Sequence, residues 1–566
     1  MPNFSTPKFR AFISLGIALS IAALIVAVLL LSSVPPVSRD ALTHHLAVPK
    51  LYLQHGGLME LPQIVFSYYP MNLDLLYMLP LYWGNDILPK YIHFLFALLT
   101  AALIYRYLKK YLPLQYSWLG VLLFLSIPVI IKLSITVYVD LGLIFFSTAA
   151  LLALLQWKAE NYKLGYLLVA AILTGLALGT KYNGLISFFL LTNLVPFLYI
   201  KGAGGSGSQW RAAGHGLIFL SVALLIFSPW MIRNYLWKGN PIYPLYQSII
   251  APAEVPVAAR PVKKSAKSGD RASGKDRGGG SGGHFAYRQL AFGESGLEIA
   301  LIPLRVFLQG QDDSPQYFDG VLNPYLLFFP VLAFWFIRRD DDALRLEKTV
   351  LGAFAALFLL LVFFQQDMRI RWIVPIIPPL VILTVFGLKA LVAMFYQQRQ
   401  STWRIGGAAL ALIAFGAMFS LNLFYIAGLF RVVAPWDYIS GKVTREAYIS
   451  NFRPAYKLHE YAGRTLPDNA LILGLFLGHR RYYSQREIIF EETLFADLIR
   501  QHDSPHQIAA ALTAKGITHL MIRRDLFEKW GTHNFNAKEG MLVPAFFNHR
   551  LKLLFSHRGY YLYKLL

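Results

Sequence analysis

Cysteine is absent from all 566 residues. Disulfides, thiolate nucleophiles, iron–sulfur clusters and cysteine-type zinc sites are thereby excluded, and the chain is indifferent to the redox state of its compartment. Charge is scarce as well: 15% of the residues are Asp, Glu, Lys or Arg, against 56% hydrophobic and 15% aromatic. The apolar share is divided among many separate blocks, which is a membrane composition. Acidic residues are the rarer sign, 31 against 53 Lys and Arg, so the formal charge is +22. Most of that excess sits at the ends of apolar blocks, where positive charge sets topology and meets anionic headgroups. The expected partner is therefore the bilayer, with no nucleic acid. No H-E-x-x-H, G-x-S-x-G or Walker lysine pattern occurs, which removes support for zinc hydrolysis, elbow-serine hydrolysis and ATP-driven transport. The glycine-rich stretch 202–208 follows an apolar block and reads as a connector.

A span takes about 20 apolar residues at roughly 1.5 Å each. Eleven blocks come near this: 11–33, 91–108, 118–139, 141–157, 164–180, 184–200, 217–232, 321–337, 350–364, 372–396 and 405–430. The first follows Lys8 and Arg10 in the manner of a signal peptide, but it is too long for an h-region and lacks an A-x-A site, so it is expected to stay as a span. Met71 to Trp83 is shorter and carries Asn72 and Asp74, and reads as an interfacial helix. On that reading Lys109, Lys110, Lys158, Lys163, Lys201, Arg211, Arg338, Arg339, Arg345, Lys348, Arg399 and Arg404 share the side of the N-terminus. Positive residues in short loops mark the cytoplasmic side, so the N-terminus is inside. Residues 34–90, 233–320 and 432–566 then lie together on the other side. Within them, 263–283 has almost no apolar residue and reads as a flexible loop. The tail alternates strand-like runs (470–476, 487–490, 518–522, 552–555, 560–563) with helical stretches at 493–501 and 505–515. The expected fold is an all-α polytopic membrane bundle, 1–431, followed by a small α/β extracytoplasmic domain, 432–566.

Ionisable groups at the mouth of a membrane bundle are functional candidates. Asp40 stands in Ser38-Arg39-Asp40-Ala41-Leu42-Thr43-His44-His45. It is either a general base, with His44 or His45 shaping an acceptor site, or the cap of an interfacial helix. Asp140 opens the fourth block, where a helix dipole favours an acid in any case. Lys181 falls between two apolar blocks on the outer side, suited to a lipid phosphate or to snorkelling. Arg233, Arg369 and Arg371 are further outer cations, and paired arginines can fork onto a phosphate. A divalent cation near Asp40, Asp140 and the histidines is compatible with these residues, although no ligand spacing demands one.

The loop acid after the first span, the second Asp at Asp140, Gly179-Thr180-Lys181-Tyr182, Ser228-Pro229-Trp230-Met231-Ile232-Arg233-Asn234 and Arg371-Trp372-Ile373-Val374-Pro375 occur in an order that resembles the GT-C superfamily of membrane glycosyltransferases, near its protein O-mannosyltransferase and aminoarabinose-transferase branch. The resemblance implies a polyprenyl-phosphate sugar donor, a lipid, glycan or protein acceptor, and a site facing away from the cytoplasm of a bacterial inner membrane. Asp40 is then the catalytic base and Asp140 the second acid, with Lys181, Arg233, Arg369 and Arg371 on the donor phosphate. Where that family has a His-Pro-Pro element, this chain has Tyr68-Tyr69-Pro70, and Tyr69 joins His44 and His45 as a site-shaping residue. The rival from another class is a transporter or flippase of lipid-linked saccharide, which predicts internal inverted repeats. No repeat is visible.

Overall fold

The computed structural model describes residues 7–203, 208–250, 284–335, 337, 340–365, 367–396 and 402–566. The predicted loop 263–283 and the basic residues Arg338, Arg339 and Arg399 lie outside them. Eight described helices are long and apolar enough to cross a bilayer: Ala11–Ser32, Leu88–Tyr111, Asp140–Ala159, Gly184–Gly202, Ser208–Lys238, Asp342–Phe363, Val374–Met394 and Gly406–Val433. One apolar helix pair is sharply bent, since Leu114–Ser126 and Pro128–Ser134 meet at 67°. Pro128 forces this by driving Ile127 into extended backbone, at ψ 130°. Leu164–Leu178 and Tyr325–Trp335 are shorter apolar helices. Together these elements take up the eleven predicted blocks, and the chain is an integral membrane protein.

The helices differ in what surrounds them. Asp140–Ala159 and Val374–Met394 are 72% buried and form the centre of the bundle, whereas only 6% of Gly406–Val433 is buried and that helix packs one face at the edge. The segment predicted as interfacial forms Asn72–Tyr82, 11 residues long. At 1.5 Å per residue it reaches about 16 Å, half of a hydrocarbon core. Two glycines let it dock closely: a Cβ on Gly142 would strike Leu73, and one on Gly179 would strike the Asn72 amide. The Gly179 carbonyl also accepts the Asn72 N–H at 2.9 Å.

After the helix Thr402–Val433, Ala434 takes a left-handed φ of 46° and Pro435 starts a new direction. The tail folds around a five-stranded sheet of β1 (Leu471–Leu475), β2 (Glu487–Ile489), β3 (His519–Arg523), β4 (Leu551–His557) and β5 (Tyr560–Leu565), in the order β2-β1-β3-β5-β4. β1 is parallel to β2 and β3, while β5 is antiparallel to β3 and β4. Alternation along β1 and β3 splits the apolar residues between two cores. Leu473 and Leu520 pack against helices such as Glu492–Gln501 and Pro505–Ala514, and Ile472 and Met521 pack against Tyr456–Thr465.

The tail is fastened to the loop that follows the first span. Arg453 Nε donates to the Val37 carbonyl at 2.6 Å, and the Tyr483 hydroxyl donates to the Pro36 carbonyl at 2.8 Å. The N–H groups of Arg481 and Tyr482 both donate to the Leu42 carbonyl at 3.1 Å. Lys50 Nζ donates to the carbonyls of Tyr482 and Ser484 at 2.8 and 3.1 Å.

Candidate active site

Asp40 precedes a single π-helical turn, Ala41–His45, closed by the Leu46 N–H on the Ala41 carbonyl at 2.9 Å. Such wide turns are frequent at functional sites. Asp40 occupies the cap position but makes no capping bond. Its carboxylate instead receives Arg371 Nη1 at 2.5 Å, which removes the capping alternative. Burial alone would raise the Asp40 carboxyl, but the Arg371 guanidinium holds it well below the usual carboxylate range. Asp40 is therefore ionised at neutral pH.

The wide turn buries both histidines, with ring centroids 4.0 Å apart. His45 Nδ1 lies 2.7 Å from the carboxylate of Asp74 on the helix Asn72–Tyr82. His44 stacks on Phe66 at 4.4 Å, and its Nδ1 is buried without a partner. Burial, followed by the charge of His45, pulls His44 well below its ordinary 6.5 against the attraction of Asp40. It is a neutral imidazole with an open nitrogen.

A second pair lies beside the first. Asp140, in the first turn of Asp140–Ala159, meets Lys181 Nζ at 2.5 Å. Burial depresses Lys181 below the ordinary lysine value in spite of Asp140. Burial also opposes the charge of Arg371, yet Asp40, its ion-pair partner, and then the nearby charge of Asp140 raise it. Its face lies over the Tyr138 ring at 5.4 Å, and its Nε is buried and unpartnered. The start of Asp140–Ala159 is fixed by His93, whose Nε2 accepts the Leu141 N–H at 3.0 Å. His93 Nδ1 lies 2.9 and 3.0 Å from the carbonyls of Leu133 and Thr136. These partners allow one tautomer, protonated at Nδ1.

Tyr69 extends the site through rings. It lies 5.4 Å from Phe66 and 5.3 Å from Tyr182, the neighbour of Lys181. Arg233 donates to the Tyr69 carbonyl at 3.2 Å and faces Trp230 at 4.5 Å, while its Nη1 is buried and unpartnered. Among the described residues Arg233 makes no ion pair. Arg369 takes a different course from Arg371: it pairs with Asp367 at 2.7 Å and Asp319 at 3.5 Å. The two arginines therefore do not form a shared fork.

Asp40, His44, His45, Asp140, Lys181 and Arg371 thus converge, Tyr69 and Arg233 flank them, and Arg369 stands in a separate ion pair. The reading of residues alone passed over Asp74, His93 and Tyr138. Asp74 was visible as a charge inside a short apolar segment, whereas His93 was hidden within a block read as a span. Among the described residues no three His, Asp or Glu side chains are arranged to hold a metal ion.

The fold is similar to those of ArnT and of an archaeal oligosaccharyltransferase. The family profile for dolichyl-phosphate-mannose-protein mannosyltransferase matches residues 87–232. The structure is similar to that of apo ArnT from Cupriavidus metallidurans, with a TM-score of 0.56 at 14% identity over 97% of both chains. ArnT from the same organism bound to undecaprenyl phosphate gives 0.55 at 14% identity, again over 97% of each chain. The Archaeoglobus fulgidus oligosaccharyltransferase in the apo form gives 0.52 at 12% identity, over 95% of this chain and 74% of that one. No curated protein sequence matches the chain.

Proposed function

We propose that the protein transfers a sugar from a polyprenyl-phosphate donor to a lipid, glycan or protein acceptor at the extracytoplasmic face of a bacterial inner membrane. Residues 1–431 form the transferase module, and 432–566 form a domain on the same side. The observation that carries this reading is the convergence of two acid–cation pairs, Asp40 with Arg371 and Asp140 with Lys181, from four separate segments. A shared fold with ArnT bound to undecaprenyl phosphate supports it.

The resting geometry supplies a mechanism. A carboxylate clamped by a guanidinium is a weak base. A donor phosphate offers Arg371 and Lys181 a stronger anionic partner, and Arg371 still has Nε free for a second bond. Once Arg371 turns to the phosphate, Asp40 loses the influence that keeps its basicity low. It then takes the proton of an acceptor hydroxyl or amine as that atom attacks the anomeric carbon from the face opposite the phosphate. The bond between that carbon and the phosphate oxygen breaks, and the leaving phosphate keeps the electron pair under Arg371 and Lys181. Configuration inverts. His44, neutral with an open Nδ1, is suited to accept a hydrogen bond from the acceptor.

The test is to incubate purified protein with radiolabelled polyprenyl-phosphate sugars and membrane extract and to find which molecule gains label. Transfer with inversion is expected. No transfer from any such donor, or labelling of positions 40 and 369 from opposite sides of the bilayer, overturns the proposal.

A further inference from the structure

A cavity of about 560 Å³ lies between the C-terminal sheet and the first loop, lined by Leu42, Arg453, His459, Arg480, Arg523 and Arg558 among others. No residue of the Asp40–Arg371 site lines it. Four arginines face this space, and one carboxylate, Asp525, which is already paired with Arg523 through two bonds of 2.8 and 2.9 Å. Among the described residues the other three make no ion pair. Arg453 donates to the carbonyls of Val37 and Phe452 at 2.6 and 2.9 Å, and Arg480 to that of Leu477 at 3.2 Å. Carbonyl bonds satisfy N–H groups without cancelling charge. Arg480 Nε is buried without a partner. Burial, and then repulsion from Arg453 and Arg39, pull Arg480 down to about 10.

Arg558 arrives by a costly route. The hairpin between β4 and β5 turns on Arg558 and Gly559, at φ 45° and 81°. Both central residues of such a turn need positive φ, which favours Asn-Gly and disfavours a long side chain at the first position. The fold thus accepts backbone strain and mutual repulsion to point cations at one space, and such strain gathers at ligand sites. Leu42, which lines the cavity, is two residues from Asp40, and its carbonyl is the one held by Arg481 and Tyr482. A ligand in the cavity lies against the loop that carries the base.

We propose that this cavity is the subsite for an anionic group of the acceptor, a phosphate or a carboxylate, anchored by Arg480, Arg453 and Arg558 while the acceptor's nucleophile reaches Asp40. The proposal rests on the transferase reading. The volume suits one phosphorylated saccharide unit.

The probe is inorganic pyrophosphate, titrated calorimetrically into the full-length protein in phosphatidylcholine nanodiscs saturated with undecaprenyl phosphate. Binding to the native protein is expected. Arg480→Gln and Arg558→Gln should each weaken it about tenfold, the loss of one charge-assisted hydrogen bond. Their affinity for undecaprenyl phosphate should be unchanged. Arg558 is exposed, so its replacement leaves the fold intact. In the transfer assay both variants should raise KM for the acceptor and not for the donor. No binding to the native protein at millimolar pyrophosphate, or equal binding to both variants, overturns the subsite. Weakened binding with an unaltered acceptor KM overturns the acceptor assignment and identifies a free phosphate ligand. Intact pyrophosphate binding without any sugar transfer overturns the transferase reading and leaves the anion site standing.

Discussion

The helix Leu88–Tyr111 has polar neighbours at both ends, and the two ends are satisfied to different degrees. At its C-terminal end Glu347 is buried and fully engaged: Tyr107 and Tyr111 donate to its two oxygens at 2.7 Å, and Lys110 stands 3.7 Å away. At the other end His93 supports a cluster in which His44 Nδ1 and Arg371 Nε are buried with no partner. A closed network rigidifies a bundle, whereas a buried donor or acceptor left open has a place for something that is absent. Satisfaction of hydrogen bonds, rather than burial or charge, separates the closed end from the end that holds the proposed site.

That contrast can be broken by substitution. The largest effect belongs to Asp40→Asn, which should lower the transfer rate by about 10² to 10⁴, the usual worth of a general base. The melting temperature should fall too, because Arg371 loses its partner, so the rate is read per folded molecule, and a rate near native would place the base elsewhere. Gly179→Ala should come next, because its Cβ pushes back the Asn72 amide and with it the helix that carries Asp74. Displacement of about 1 Å is worth roughly 10² in rate. An unaltered rate would show that this helix does not position the site.

Glu347→Ala should behave in the opposite way. It strands two tyrosine hydroxyls at about 1 to 3 kcal/mol each, which lowers the melting temperature while activity per folded molecule stays native. A comparable loss of activity would erase the distinction between the two ends. The smallest effect is on pH dependence. Burial holds His44 below 6.5 in the folded protein, so between that lowered value and 6.5 the unfolded chain binds a proton that the folded one does not. Stability therefore falls as pH falls through this window, by up to about 1.4 kcal/mol per unit for one proton. His44→Gln should flatten that slope in denaturation curves measured across the window, and an unchanged slope would mean that His44 is charged in the folded state.

The elements were legible because their periods are strong. The predicted strand 518–522 appears as His519–Arg523 and the predicted helix 505–515 as Pro505–Ala514. Asp40, Asp140, Lys181 and Arg371 were visible as ionisable residues at the ends of apolar blocks, where a cap, a helix dipole or snorkelling explains such residues as readily as chemistry. Their pairing was not, because Asp40 and Arg371 are separated by 331 positions and nothing local records that contact. Arg369 and Arg371 look like one phosphate fork in sequence, but the short helix Ile370–Trp372 sends them to different acids. Arg480 and Arg558 carried no signal at all, since the cavity exists only once the hairpin and the first loop meet.

The grip of the tail on the first loop has a temporal consequence. Val37 and its fastener Arg453 are 416 positions apart, and Pro36 and Tyr483 are 447 apart. A ribosome adding roughly 5 to 20 residues per second delivers the second partner tens of seconds after the first. Throughout that interval the segment around Asp40 has entered the bilayer interface without its restraints. The loop that carries Asp40 thus gains its anchors only with the last quarter of translation.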